Sequence, residues 1–163
     1  MVTEAPKKIA AVILGIISLT LTLTTVFSTL SAVALLGNPN NIRIGQFSGN
    51  ATTGMALNVS INNQGYYDVN SLTLTVQLNL HNSTLDQTLL NKVVALGVFP
   101  AQQNHTATAT FSPGDFSMPT QLIFPGTVNV TATVTIDVYY CFNLMHITSS
   151  FTSILDNPEA FIP

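Results

Sequence analysis

Three histidines, His81, His105 and His146, and seven carboxylates are the side chains from which acid–base or metal chemistry would have to be built. The histidines fall in separate segments, with none of the close spacings that zinc sites use. Asp68 and Asp86 could partner a histidine as a general base, but each adjoins a turn or strand end, where aspartate normally caps or solvates. Serines are plentiful, yet no G-x-S-x-G elbow is present. The nine glycines are dispersed and form no phosphate-cradling loop. These absences point away from an enzyme, a cofactor or a bound metal. Cys141 is the single cysteine, so no internal disulfide can form. It follows Tyr139 and Tyr140 in a strand-like run and reads as a buried structural thiol, an intermolecular disulfide being the lesser alternative.

The remaining chemistry is modification. Five N-glycosylation sequons begin at Asn50, Asn58, Asn82, Asn104 and Asn129. In a chain rich in Asn, Ser and Thr their number says little, but their placement says more. Asn58 and Asn129 fall on the polar phase of their strands, and Asn50 and Asn82 fall in or beside turns. A sugar at any of these four would leave the core untouched.

Charged residues make up 7% of the chain against 47% hydrophobic ones, where about a quarter is the usual charged share. Low charge with high hydrophobicity is the reverse of the disordered signature. The net charge is −3, and after the first 37 residues only Arg43 and Lys92 are cationic. No basic surface exists to release counterions from nucleic acid. Few carboxylates also means few groups whose protonation can unfold the domain, so the composition predicts acid tolerance.

What must position these groups begins with an uncharged run. Residues 9–42 carry no charged side chain, and Lys7 and Lys8 stand immediately before them. About 20 apolar residues span a bilayer core of roughly 30 Å, and 9–36 exceeds that length. Three fates suit such a segment. As a signal anchor it keeps Lys7 and Lys8 in the cytoplasm and places the remainder outside. As a cleaved signal it offers Ala32-Val33-Ala34, although its apolar stretch is longer than usual. Cleaved near Lys8, it becomes a filament-core helix. The anchor is the favoured reading. Thr20, Thr22, Thr24 and Thr25 alternate with leucines as in a strand, but in lipid the backbone must satisfy itself. Threonine hydroxyls can then bond back to a carbonyl one turn earlier, and small or hydroxylated residues favour helix packing.

Gly37 and Asn38-Pro39-Asn40-Asn41 stop the helix, and the period changes to two. Met55, Leu57, Val59 and Ile61 share one face. The same holds for Leu72, Leu74, Val76, Leu78 and Leu80, and for Val128, Val130, Ala132, Val134, Ile136 and Val138. Shorter strands are expected over 42–46, 88–98, 106–111, 121–124 and 145–151. Turns are expected at Ser48-Gly49-Asn50, Asn62-Asn63-Gln64-Gly65, Ser112-Pro113-Gly114-Asp115 and Pro125-Gly126. About seven strands, each with one apolar face, predict an antiparallel immunoglobulin-like β-sandwich over residues 38–163, behind a helical region at 1–37. Tyr66-Tyr67 and Tyr139-Tyr140 each read as one core-facing and one outward ring, and Asp156, Pro158 and Glu159 as a terminal loop.

From Met55 to Phe111 the order of features resembles the late-embryogenesis-abundant type-2 family, as found in archaeal envelope proteins. The resemblance lies in Leu57-Asn58-Val59-Ser60-Ile61-Asn62-Asn63-Gln64-Gly65-Tyr66-Tyr67-Asp68-Val69, then the long strand 72–80, and then Val98-Phe99-Pro100-Ala101 leading into 106–111. It covers roughly the middle third and implies a sandwich of structural or stress-related role without enzyme chemistry. The overall layout also resembles archaeal type IV pilin-like proteins, although the small residue usual before their cleavage point is missing. The expected protein is therefore a non-enzymatic envelope component presenting a glycosylated sandwich outside the cell. Its partners would be membrane lipid or neighbouring subunits at the helix, and an S-layer or other envelope protein at the sandwich. The alternative is a pilin-like filament subunit.

Overall fold

The computed structural model describes residues 4–81, 86–117, 129–140 and 143–155. An α-helix, α1 (Glu4–Leu36), leads into seven strands: β1 (Ile42–Asn50), β2 (Gly54–Asn63), β3 (Val69–His81), β4 (Asp86–Phe99), β5 (Gln103–Phe111), β6 (Asn129–Tyr140) and β7 (Met145–Leu155). The helix starts earlier than the apolar run, so Lys7 and Lys8 lie within its first turns. Pro6 is tolerated there because the first turn has no intrahelical use for its N–H.

The threonines in α1 bond back to the helix as expected. Thr20, Thr22, Thr24, Thr25 and Thr29 each donate their hydroxyl to the carbonyl four residues earlier, at 2.8–2.9 Å. Each side chain is thereby satisfied within the helix itself. The helix ends where expected. Gly37 N–H closes on Val33 O at 2.7 Å, and the Asn38 side chain accepts from Asn40 N–H at 3.0 Å to open a short 3-10 turn, Pro39–Asn41.

The strands form two antiparallel sheets, β1-β2-β5 and β4-β3-β6-β7, facing each other across the predicted apolar phases. Met55, Leu57, Val59 and Ile61 of β2, Leu72 to Leu80 in alternation on β3, and Val130 to Val138 in alternation on β6 are all buried in one core. Grouping β4 with β3 puts four strands in one sheet and three in the other.

Strand ends differ from expectation for identifiable reasons. The turn expected at Ser48-Gly49-Asn50 lies further on, because these residues complete β1. Asn50 Oδ1 instead gathers the N–H groups and hydroxyls of Thr52 and Thr53 at 2.7–3.1 Å, setting the turn after itself. Gly49 serves the strand end through its positive φ of 88°. Likewise Asn62 and Asn63 extend β2, paired with Asn104 and Gln103 of β5. Strands β3, β4, β5 and β7 also run longer than their apolar patterns. The Ser112–Asp115 cluster does form a turn, with Ser112 N–H bonded to Asp115 Oδ2 at 2.7 Å. The strand expected at 121–124, the turn at Pro125-Gly126, Asn82, Val128, Cys141 and the terminal loop with Asp156, Pro158 and Glu159 lie outside the described residues.

Candidate functional site

The helix is exposed and apolar all round from Ala10 to Leu23, and Ala10–Leu36 is long and apolar enough to cross a membrane. A helix of this kind requires an apolar surrounding. It is a candidate membrane anchor, and a signal sequence shares this length and composition.

Its last turns are different, because they are built into the sandwich. Ser28, Ser31, Ala32 and Leu35 are buried, and Leu35 belongs to the sandwich core. Ser31 Oγ accepts the Tyr66 N–H at 2.8 Å, and the Phe27 ring meets Tyr66 edge-on at 5.4 Å. Asn41 donates from Nδ2 to Ala34 O at 2.8 Å, tying the 3-10 turn back to the helix.

Beneath this contact lies Asn63, fully buried, with both ends of its amide used. Nδ2 donates to Tyr67 O at 2.9 Å and Phe99 O at 3.2 Å. Oδ1 accepts from Gly65 N–H at 3.1 Å and from the Tyr140 hydroxyl at 2.8 Å. Burial pushes the Tyr140 phenol above its ordinary value, and its bonds to Ser31 and Asn63 only partly offset this. Asp68 caps the neighbouring loop by accepting Ala101 N–H at 2.7 Å. Gln102 Nε2 bridges Gln64 O and Gly65 O at 2.8 Å each. The joint between helix and sandwich is thus a packed, hydrogen-bonded unit. As expected, Tyr140 is buried and Tyr139 half-buried, while Tyr66 is exposed.

The histidines stay apart. His105 meets Phe99 edge-on, His81 sits opposite Asp86 in the β3–β4 register, and His146 lies on β7. Among the described residues no three His, Cys, Asp or Glu side chains converge on a point that could hold a metal. One grouping is invisible in the linear pattern. The β6–β7 register places Tyr139 opposite His146 and Asp137 opposite Thr148. His146 Nε2 lies 3.0 Å from Asp137 Oδ1 and 3.3 Å from Thr148 Oγ1, while Thr148 donates to Asp137 at 2.6 Å. The Tyr139 ring stacks on the imidazole at 4.4 Å. The Thr148 bond, aided by His146, holds the Asp137 carboxyl below its ordinary range. A Ser-His-Asp-type relay needs the acid and the hydroxyl on opposite ring nitrogens. Here both address Nε2, so the geometry makes a cross-strand clamp rather than a nucleophile. The signal that would have revealed it is the hairpin centred between β6 and β7, from which the pairs follow by symmetry.

The described sequon asparagines lie apart over the surface. Asn58 and Asn129 are exposed on their strands, and Asn58 Oδ1 accepts from Thr108 at 2.7 Å. Asn50 is half-buried in its turn, and Asn104 is exposed beside Arg43. No protein-family model matches this chain, and no curated protein matches it.

Proposed function

We propose that this chain is a non-enzymatic cell-envelope protein, held in the membrane by α1 and presenting the sandwich outside the cell for structural or adhesive contacts. The carrying observation is a helix apolar on every side whose last turns are fused into a sandwich with a nearly uncharged surface. Lys7 and Lys8 favour the cytoplasmic side by the positive-inside rule, which directs the sandwich outward. The sequons suit an exterior surface, where glycans supply the hydration that charges usually provide. The partial likeness to the late-embryogenesis-abundant type-2 family fits a structural role.

The test uses Gly114→Cys in a Cys141→Ser background, since a side chain at Gly114 meets no neighbour. A membrane-impermeant maleimide should label intact cells, and the protein should resist alkaline carbonate extraction. Labelling only after lysis, or recovery of a cleaved soluble form, overturns the reading.

A filament subunit is the second reading, favoured by one observation. Ala11, Gly15, Ser18, Thr22, Thr25 and Thr29 recur at alternating spacings of four and three, an exposed stripe of small residues along which helices can approach closely. Mechanical shearing separates the two readings: a filament subunit is released as high-molecular-weight fibres, and an anchored protein stays with the membrane.

A further inference from the structure

We infer that the cleft at the helix-proximal end of the three-stranded sheet is a phosphate site, filled by the headgroup phosphate of a lipid in the leaflet where α1 emerges. This rests on the anchored reading. Beyond α1 the chain has two cations, Arg43 and Lys92, and Lys92 is bonded to Asp115. Arg43 forms no ion pair among the described residues, and its Nε donates to Asn40 O at 3.2 Å. Arg43 lines a cleft of about 200 Å³ with Asn40, Asn41, Ser60, Asn62 and Asn104, a wall of amides and a hydroxyl with no carboxylate. Some of these groups already have protein partners, Asn41 Nδ2 on Ala34 O at 2.8 Å, Asn62 Nδ2 on Asn41 Oδ1 at 3.4 Å and Ser60 Oγ with Thr106 Oγ1 at 2.6 Å. Each amide nitrogen keeps a second N–H, however, and a guanidinium beside neutral amide donors suits a tetrahedral oxyanion.

If the hydrocarbon core begins after Lys8, about 20 residues at about 1.5 Å each carry it to the region of Ser28. Ala34 then lies roughly 9 Å beyond, in the headgroup layer, and Asn41 of the cleft is bonded to Ala34 O. At this same end Tyr66 and Leu144 stand 62% and 70% exposed, an aromatic and an aliphatic side chain placed where interfacial anchors sit.

Full-length, unglycosylated protein carrying Lys7→Gln and Lys8→Gln, which removes the cations at the opposite end, is reconstituted in vesicles of equal phosphatidylglycerol and phosphate-free digalactosyl diacylglycerol. Detergent extraction and native mass spectrometry then read the retained lipid. Phosphatidylglycerol should be enriched about fivefold, the effect of one cation near an anionic surface. Arg43→Gln should abolish the enrichment, and so should Asn104→Asp, which places a carboxylate in the cleft while leaving Arg43 intact. Equal retention of both lipids, or enrichment unchanged by both variants, overturns the proposal. Displacement by excess inorganic phosphate overturns the lipid assignment and leaves a free-phosphate site; persistence in that excess supports the headgroup. Vesicle flotation reads the anchor separately. If no form floats, the anchored reading fails and takes the headgroup with it; if all float and retention is unchanged, the cleft alone fails.

Discussion

Gly65→Ala should loosen the joint between helix and sandwich. A Cβ at this position would lie 1.9 Å from the Tyr140 hydroxyl, 3.1 Å from its Cζ and 2.9 Å from Ser31 Cβ. The Tyr140 ring is fully buried and cannot swing into solvent. Relief must come from withdrawing the phenol, which breaks its 2.8 Å bond to Asn63, and from displacing Ser31, which holds the Tyr66 N–H. Overpacking costs about 1–3 kcal/mol, and a buried polar group left without its partner costs about 1–3 kcal/mol more. The expected loss is therefore roughly 4 kcal/mol, or a melting point lower by about 15 °C for a domain of this size. Thermal melts of the full-length protein in dodecyl maltoside, followed by circular dichroism, measure it. The decisive variant is the double one. Tyr140→Phe removes the atom at 1.9 Å and alone costs about 1 kcal/mol, so Gly65→Ala with Tyr140→Phe should be more stable than Gly65→Ala alone. Independent sites would give additive losses. A neutral Gly65→Ala, or additivity in the double variant, refutes the account of the joint.

Three further outcomes follow from titratable and modifiable groups. The Lys92 bond holds the Asp115 carboxyl, and the Thr148 bond the Asp137 carboxyl, below the ordinary value of 3.8; such groups add stability above that value and lose it as pH falls through their folded values. A circular-dichroism titration should thus be flat from about pH 7 to about pH 4, with Asp115→Asn and Asp137→Asn flattening the limb below; cooperative unfolding within the flat range refutes this. Tyr140 has the opposite sign, its raised phenol giving stability that is complete below the ordinary value of 10.0 and lost as pH rises through the folded value, so Tyr140→Phe should melt with a shallower alkaline dependence. Intact-mass measurement of protein from its native host should show glycan increments that disappear stepwise with Asn58→Gln and Asn129→Gln, and a bare polypeptide mass would remove glycosylation from the picture.

Strands β2, β3 and β6 were legible because each has one face in the core, so burial writes a period of two directly into them. The helix was legible because lipid-compatible length and the absence of charge leave little else for residues 9–36. Contacts set by register were not. Asp137 and His146 read as unrelated until the β6–β7 hairpin aligned them, and a shift of one residue would have placed them on opposite faces. The joint was hidden by distance along the chain: Tyr140 reaches Asn63 across 77 positions, and Tyr66 reaches Ser31 across 35. In isolation Ser31 is one more hydroxyl in a threonine-rich helix, and Asn63 one more turn former. Asn63 was expected in a turn because its type favours one, whereas its buried carboxamide is needed where two loops and a phenol present complementary donors and acceptors.

The joint also bears on how such a protein can work. A helix followed by a flexible linker would leave the sandwich free to rotate, and its contacts would be averaged over orientation. Here Ser31, Leu35 and Phe27 are held by Tyr66 and the core, and Asn41 is tied back to Ala34. The sheets therefore keep a set direction relative to the helix axis. Whether α1 ends in lipid or among neighbouring helices, its placement fixes which strand edges and which sequon faces meet the surroundings. Disrupting the joint should leave Ala10–Leu23 as apolar and exposed as before while freeing the sandwich to reorient, so that on the proposed envelope reading the anchor survives and the fixed presentation is lost.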